Sequence, residues 1–329
     1  LIIKSKDKED VFGDNYLYTS LSLKTESLKN FGTWGYYAKE FKNVFFSSNT
    51  ANNEQIKEVN DYLNEGKNLT TDYTGTMQNK NIIMIMMEST QWFAIDEYLT
   101  PNLYKLANEG LAFTNHYSKN KTNISEMIGI TGSYPISSTL QLNKVKYNFT
   151  NSILNYLDDS YVTTYVHPNT GKFYSREKLM PMLGFDNMYF YNDLFDDELY
   201  SWRDFVLDSE TMKKSLEYLV PSDAKHFYSY ITTLSTHGPY NKSEKNIKKL
   251  TELGYFLKIN EAIENNKWEN PLKNTKVSEN FIYYKAMAMD LDKSIGMLID
   301  YLNDKNLLND TMLVLYGDHN VYYDDISYL

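Results

Sequence analysis

The hydrophobic pattern changes character at Asn81. Residues 1–80 are polar and rich in Asn and Lys, with one helical stretch at 53–66 and a loop at about 70–80. They read as an N-terminal arm or helical lead-in. From Asn81 onward, short apolar runs alternate with segments of helical period. The runs are "NIIMIMM" at Asn81–Met87, "YVTTYV" at Tyr161–Val166, "FYSYITTL" at 227–234 and "TMLVLY" at 311–316. Their alternation predicts βαβ units and a mostly parallel central sheet flanked by helices, an α/β domain over 81–329. Helices are expected at 100–110, 209–220 and 278–304. The first has Pro101 in its opening turn and Gly110 at its end. The last spaces Ile282, Met289, Ile295, Leu298 and Ile299 as one helix face behind a capping Ser278.

The residues just after each strand are more informative than the strands themselves. The first run leads into Glu88, the second into His167, the third into Ser235-Thr236-His237 and the fourth into Gly317-Asp318-His319. In an open α/β sheet, ligands gather at the carboxyl ends of the strands. Each residue alone also fits an ordinary role: Glu88 as a first solvated loop residue, Gly317-Asp318-His319 as a turn with Gly317 letting the strand end sharply, His237 as a loop residue before Gly-Pro. Their coincidence at one edge points to a site, and three of the five histidines take part. His116 and His226 come after no strand end and stand apart. A hydroxyl is supplied by "KTNISEMIGITG", where Thr122 opens an apolar-periodic helix and Asn123 and Glu126 have capping-box spacing. Free N–H groups and the dipole there favour an anion such as phosphate.

Composition narrows the classes. A net charge of −10 argues against nucleic acid or an anionic lipid surface as a general partner. With no cysteine, disulfides, thiolate ligands and a cysteine nucleophile are excluded. The longest apolar run, Ile82 to Met87, is far shorter than the roughly 18 residues that span a bilayer. Thirty tyrosines fit either a coding bias or a sugar-facing surface. The opening "LII" suits the tail of an apolar segment upstream.

In their order, "NIIMIMMEST", "NKTNISE", "STHGPY" and "LYGDHN" resemble the lipoteichoic acid synthase family, extracellular phosphoglycerol transferases of the alkaline phosphatase/sulfatase superfamily, across residues 81–320. The resemblance implies a divalent metal, Mn²⁺ or Mg²⁺ before Zn²⁺, held by Glu88, Thr122, Asp318 and His319, with Thr122 as nucleophile. It implies phosphate contacts from Arg176, in "FYSR", and from His237, which is also placed to move a proton. Tyr174 stands where the family carries Trp, and His167 falls near the pocket. Phosphatidylglycerol is the implied donor, and a glycerol-phosphate polymer or glycolipid the acceptor. The implied setting is the outer face of a bacterial membrane, reached through a segment outside this chain, with the protein acting as a monomer. A hard donor set of one imidazole and three oxygens agrees with such a metal.

"SYPIS" at 133–137 is similar to the sulfatase nucleophile box but ends in Ser rather than Arg, and reads as structural. Members of the superfamily continue well past the Asp-His strand, so the C-terminal part of the fold and some sheet-edge elements are expected to be missing. Two other functions fit: a phosphodiesterase or phosphoethanolamine-type transferase of the same superfamily, and a catalytically silent protein that binds cell-wall polymer.

Overall fold

The computed structural model describes residues 17–18, 24–46, 52–65, 70–118, 121–134, 148–197, 206–240, 244–321 and 326. The chain divides into two compact units, Leu1–Thr76 and Met77–Leu329. The opening "LII" and residues 135–137 of "SYPIS" lie outside the described residues.

The first unit holds α1 (Lys24–Phe46) and α2 (Asn53–Glu65). The second helix matches the expected stretch, and its start has a reciprocal cap. Asn52 Oδ1 accepts from the Gln55 N–H at 2.8 Å, and Gln55 Oε1 accepts from the Asn52 N–H at 3.0 Å. Helix α1 was not anticipated from the sequence. Its pattern is interrupted by Gly32, which sits at φ 66° and kinks the helix.

The second unit is built on five parallel strands: β1 (Asn81–Met87), β2 (Tyr161–Val166), β3 (Asn187–Tyr189), β4 (His226–Thr232) and β5 (Thr311–Gly317). Their order across the sheet is β3-β2-β4-β1-β5. All four expected strands are present. β3 is new, because three half-buried residues carry too little periodicity to be read. β4 ends at Thr232, two residues short of expectation: the Thr233 N–H still reaches the Met86 carbonyl at 3.0 Å, but the Asp208 carboxylate captures those of Leu234 at 2.8 Å and Ser235 at 3.1 Å.

β1 shows why its sequence is uniformly apolar rather than alternating. Ile83, Ile85 and Met87 pack on one face with Met212 and Leu219 of α7 (Asp208–Leu219) and Leu291, Ile295 and Leu298 of α10 (Ser278–Asp304). Met84 and Met86 pack on the other face with Met127 and Ile130 of α4 (Thr122–Thr131) and Leu179 and Met180 of α5 (Arg176–Leu183). A central strand covered on both faces has no polar side to show. Truncating a fully buried Ile83 or Ile85 to Ala costs about 2–5 kcal/mol.

The remaining helices are α3 (Pro101–Glu109), α6 (Tyr191–Leu194), α8 (Glu244–Glu252) and α9 (Tyr255–Glu264). Leu250, Tyr255 and Ile259 join Phe281 and Tyr284 of α10 in a third apolar cluster. Two caps differ from expectation. Ser278 is already helical and its hydroxyl accepts from Asn270 Nδ2 at 3.0 Å. Glu126 makes no cap at all. Among the described residues, no helix is long and apolar enough to cross a membrane.

Candidate active site

The carboxyl ends of β1 and β5 lie side by side in register, Met87 opposite Gly317, so the residues beyond them emerge together. Gly317 ends β5 as expected, and the structure adds a second reason for glycine there. A Cβ there would sit 2.2 Å from the Thr90 carbonyl oxygen, so only glycine lets the two chain segments approach this closely. Beyond it, the Asp318 N–H donates to the Met87 carbonyl at 3.1 Å, which carries the pairing one residue further.

Glu88 and Asp318 are both buried. Asp318 Oδ1 accepts the N–H groups of Ser89 and His319, each at 2.7 Å, and Oδ2 has no hydrogen-bond partner. Ser89 Oγ donates to Glu88 Oε1 at 2.9 Å, and the Thr236 hydroxyl holds the Glu88 carbonyl. His319 Nδ1 lies 2.9 Å from the Asn320 carbonyl, which can only accept, so the ring proton belongs on Nδ1. That leaves Nε2 as a lone pair, and it points at acceptors: Asp318 Oδ2 at 3.2 Å, Glu88 Oε1 at 3.4 Å and Thr122 Oγ1 at 3.5 Å.

Thr122 is the first residue of α4, after Lys121, and its hydroxyl reaches Glu88 Oε2 at 3.3 Å. One ligand atom each from Glu88, Asp318 and His319 falls within 4.8 Å of the others. Two carboxylates and an imidazole lone pair face one another with only the Thr122 hydroxyl and a proton held on Glu88 between them, and a cation would take that proton's place. The orphaned Oδ2 and the His319 tautomer, fixed from outside the cluster, therefore fit a bound divalent ion. Burial pushes the Glu88 carboxyl well above the usual carboxylate range, and the Asp318 charge adds to this.

Of the other anticipated residues, His237 lies within electrostatic reach of Asp318 and His319, and His167 within reach of His237 and Arg176. Arg176 opens α5 and is buried. Its Nε donates to both oxygens of Glu126, at 3.2 and 3.0 Å, while Nη1 and Nη2 have no partner. Burial opposes the guanidinium charge, and Glu126 more than offsets it, so Arg176 stays protonated. Tyr174 is exposed, with its ring centre 5.2 Å from the guanidinium carbon. His167 is buried with Nδ1 at 3.2 Å from the Thr232 carbonyl. Burial and the Arg176 charge push its pKa well down, so it is neutral. His237 is half-buried, its Nδ1 bonded to the Gly238 carbonyl, and burial lowers its pKa while that bond and the Asp318 charge oppose the shift.

Sequence reasoning missed Ser89, Thr236 and Glu126. Glu126 was assigned to a cap; it is instead a buried carboxylate that ties α4 to Arg176, Tyr165 and Thr232. A lone acidic residue within the apolar "SEMIGI", one turn past Thr122, is the signal that could have found it.

The Sulfatase family model matches residues 80–323. Among curated proteins, the chain is 26% identical over 285 residues to a lipoteichoic acid synthase from Staphylococcus saprophyticus, covering 82% of this chain and 40% of that one. It is 25% identical over 283 residues to lipoteichoic acid synthase 2 of Bacillus subtilis, with the same 82% and 40% coverage. The chain thus spans two fifths of the length of these relatives. Among solved structures, a lipoteichoic acid synthase from Listeria monocytogenes superposes with a TM-score of 0.55 at 24% identity, over 80% of this chain and 62% of the other. The parallel sheet, the cluster at its carboxyl edge and the family match over three quarters of the sequence lead to one conclusion: this chain belongs to the Sulfatase family.

Proposed function

We propose that residues 81–329 are the catalytic part of a metal-dependent phosphoglycerol transferase of the lipoteichoic acid synthase type. It moves glycerol phosphate from phosphatidylglycerol to a polyglycerol-phosphate chain or glycolipid acceptor, as a monomer at the outer face of a bacterial membrane. The observation that carries this reading is the convergence of Thr122 Oγ1 with Glu88, His319 and Asp318 at a helix N-terminus. The curated relatives are named lipoteichoic acid synthases, which supports a lipoteichoic acid chain as the product.

In this reading Glu88, Thr122, Asp318 and His319 hold Mn²⁺ or Mg²⁺. When bound, the ion lowers the pKa of the Thr122 hydroxyl and polarises the phosphoryl group. The Thr122 oxygen attacks phosphorus, the bond from phosphorus to the diacylglycerol oxygen breaks, and a glycerophospho-threonine forms. The first-turn N–H groups of α4 and the Nη groups of Arg176 take the phosphoryl oxygens. Tyr174 gives the glycerol group an aromatic wall, and neutral His167 offers an uncharged acceptor beside it. His237, neutral with its proton on Nδ1, has Nε2 to carry a proton. The Thr122 proton is lost to water as its oxygen attacks, and His237, protonated on Nε2 from water, gives that proton to the leaving diacylglycerol oxygen on the opposite side of phosphorus. In the second half His237 takes the acceptor hydroxyl's proton as the acceptor oxygen displaces the threonine, and the Thr122 oxygen recovers its proton from water.

The test is release of diacylglycerol from phosphatidylglycerol vesicles with Mn²⁺ present. Thr122→Ala is expected to abolish it, and full activity in that variant would overturn the assignment. Parallel vesicles of phosphatidylethanolamine separate phosphoglycerol transfer from phosphoethanolamine transfer.

A further inference from the structure

Arg176 is held in an unusual way. A guanidinium commonly meets a carboxylate through two parallel N–H bonds. Here both carboxylate oxygens of Glu126 are taken by the single Nε edge, at 3.2 and 3.0 Å. Nη1 and Nη2 are left buried and without partners. Buried charged donors without acceptors are costly unless a ligand completes them. Glu126 is itself fixed from three further elements. Tyr165 of β2 donates to Oε1 at 2.7 Å, Thr232 at the end of β4 donates to it at 3.2 Å, and α4 carries its backbone. Tyr165 is in turn locked by stacking on Tyr230, with ring centres 5.7 Å apart.

We propose that Glu126 is a positioning residue. It holds Arg176 by Nε alone, so that the two Nη groups are presented as a ready fork for a phosphate monoester or diester at Thr122. Glu126 lies four residues after Thr122 on α4, one helical turn further along the same face. One helix therefore carries both the nucleophile and the group that aims the phosphate clamp, so their relative position is set by helix geometry rather than by a loop. The pair also neutralises the Arg176 charge. Its contribution is orientation more than net positive charge, and a phosphate that enters meets donors already desolvated and aimed.

This inference rests on the phosphate-binding reading of the site, and the experiment separates the two. Glycerol 1-phosphate binding to the whole 329-residue chain with Mn²⁺ is measured by calorimetry for the wild type, Arg176→Ala, Glu126→Gln and the double variant. Arg176→Ala is expected to weaken binding about 100-fold and Glu126→Gln about 10-fold, the scale of charge-assisted hydrogen bonds. The double variant is expected to bind no more weakly than Arg176→Ala alone, since Glu126 acts only through Arg176. A general structural role would instead give losses that multiply.

Wild-type binding by Arg176→Ala, or no binding by the wild type, would defeat the phosphate-site reading itself. Loss in Arg176→Ala with wild-type binding in Glu126→Gln, or multiplying losses, would defeat only the positioning role. If Glu126→Gln fails to fold, Tyr165→Phe takes its place in the same cycle. It removes one donor to Glu126 and keeps the stacked ring; a severalfold loss that vanishes in the Arg176→Ala background supports the role. Multiplying losses, or no loss at all, in that cycle overturn it.

Discussion

Removing the cation exposes a specific electrostatic cost. The ligand atoms of Glu88 and Asp318 lie within 4.8 Å of each other, both buried. Two unit charges at that separation repel by about 3.5 kcal/mol at an effective dielectric of ~20. The metal-free chain avoids this by keeping a proton on Glu88, whose pKa burial and Asp318 push well above the ordinary value of 4.5. A folded-state pKa raised in this way gives stability that is full below about pH 4.5 and is lost as pH rises toward the folded value. A divalent cation removes the repulsion and displaces the proton, so its stabilisation grows with pH. For a domain of ~250 residues, about 3.5 kcal/mol corresponds to a shift of about 7–14 °C in Tm. Thermal melts in a chelator and in Mn²⁺, at about pH 5 and about pH 8, measure it directly. The larger gap is expected at the higher pH. Asp318→Asn without metal is expected to melt no lower than the metal-free wild type there, and to ignore Mn²⁺. Equal melting with and without the ion at both pH values would refute the argument.

The close approach at Gly317 gives a second expectation. Gly317→Ala places a methyl 2.2 Å from a backbone oxygen, so the β1 and β5 ends must separate, at a cost of about 1–3 kcal/mol or more. Denaturant unfolding reads the stability, and loss of Mn²⁺ response reads the displaced ligands; an unchanged midpoint contradicts the packing account. Away from the site, burial and then the neighbouring Asp290 push Asp208 up to about 7 from 3.8. Its contribution is therefore full below about pH 3.8 and falls away as pH rises to about 7, by at most about 4 kcal/mol. In saturating Mn²⁺, Asp208→Asn is expected to flatten that slope, and an unaltered slope would show that Asp208 does not titrate there.

Much of the sheet was legible because buried parallel strands leave uninterrupted apolar runs, as in Asn81–Met87, that no surface segment imitates. β3 and α1 were not legible: the first is too short to show a period, and the second is split by Gly32 at a left-handed angle. Glu88, Asp318 and His319 were legible as a group because they lie within two residues of a strand end, and strand order does the rest. Glu126 was not, since the capping pattern it fits locally is decided by a tertiary partner, Arg176, fifty residues away. Gly317 was legible as the residue where the strand ends, and β5 does stop there, but the close approach of Thr90 that also demands glycine shows only in three dimensions.

The claim at the centre of this account is that Thr122 carries the group in transit. Incubating the chain with Mn²⁺ and phosphatidylglycerol vesicles, without an acceptor, and mapping the digested protein by mass spectrometry tests it most directly. The account predicts a glycerophosphoryl group on the hydroxyl of Thr122, in step with released diacylglycerol and removed when a glycerol-phosphate acceptor is added. Diacylglycerol released with Thr122 unmodified, or at an undiminished rate from Thr122→Ala, would contradict it.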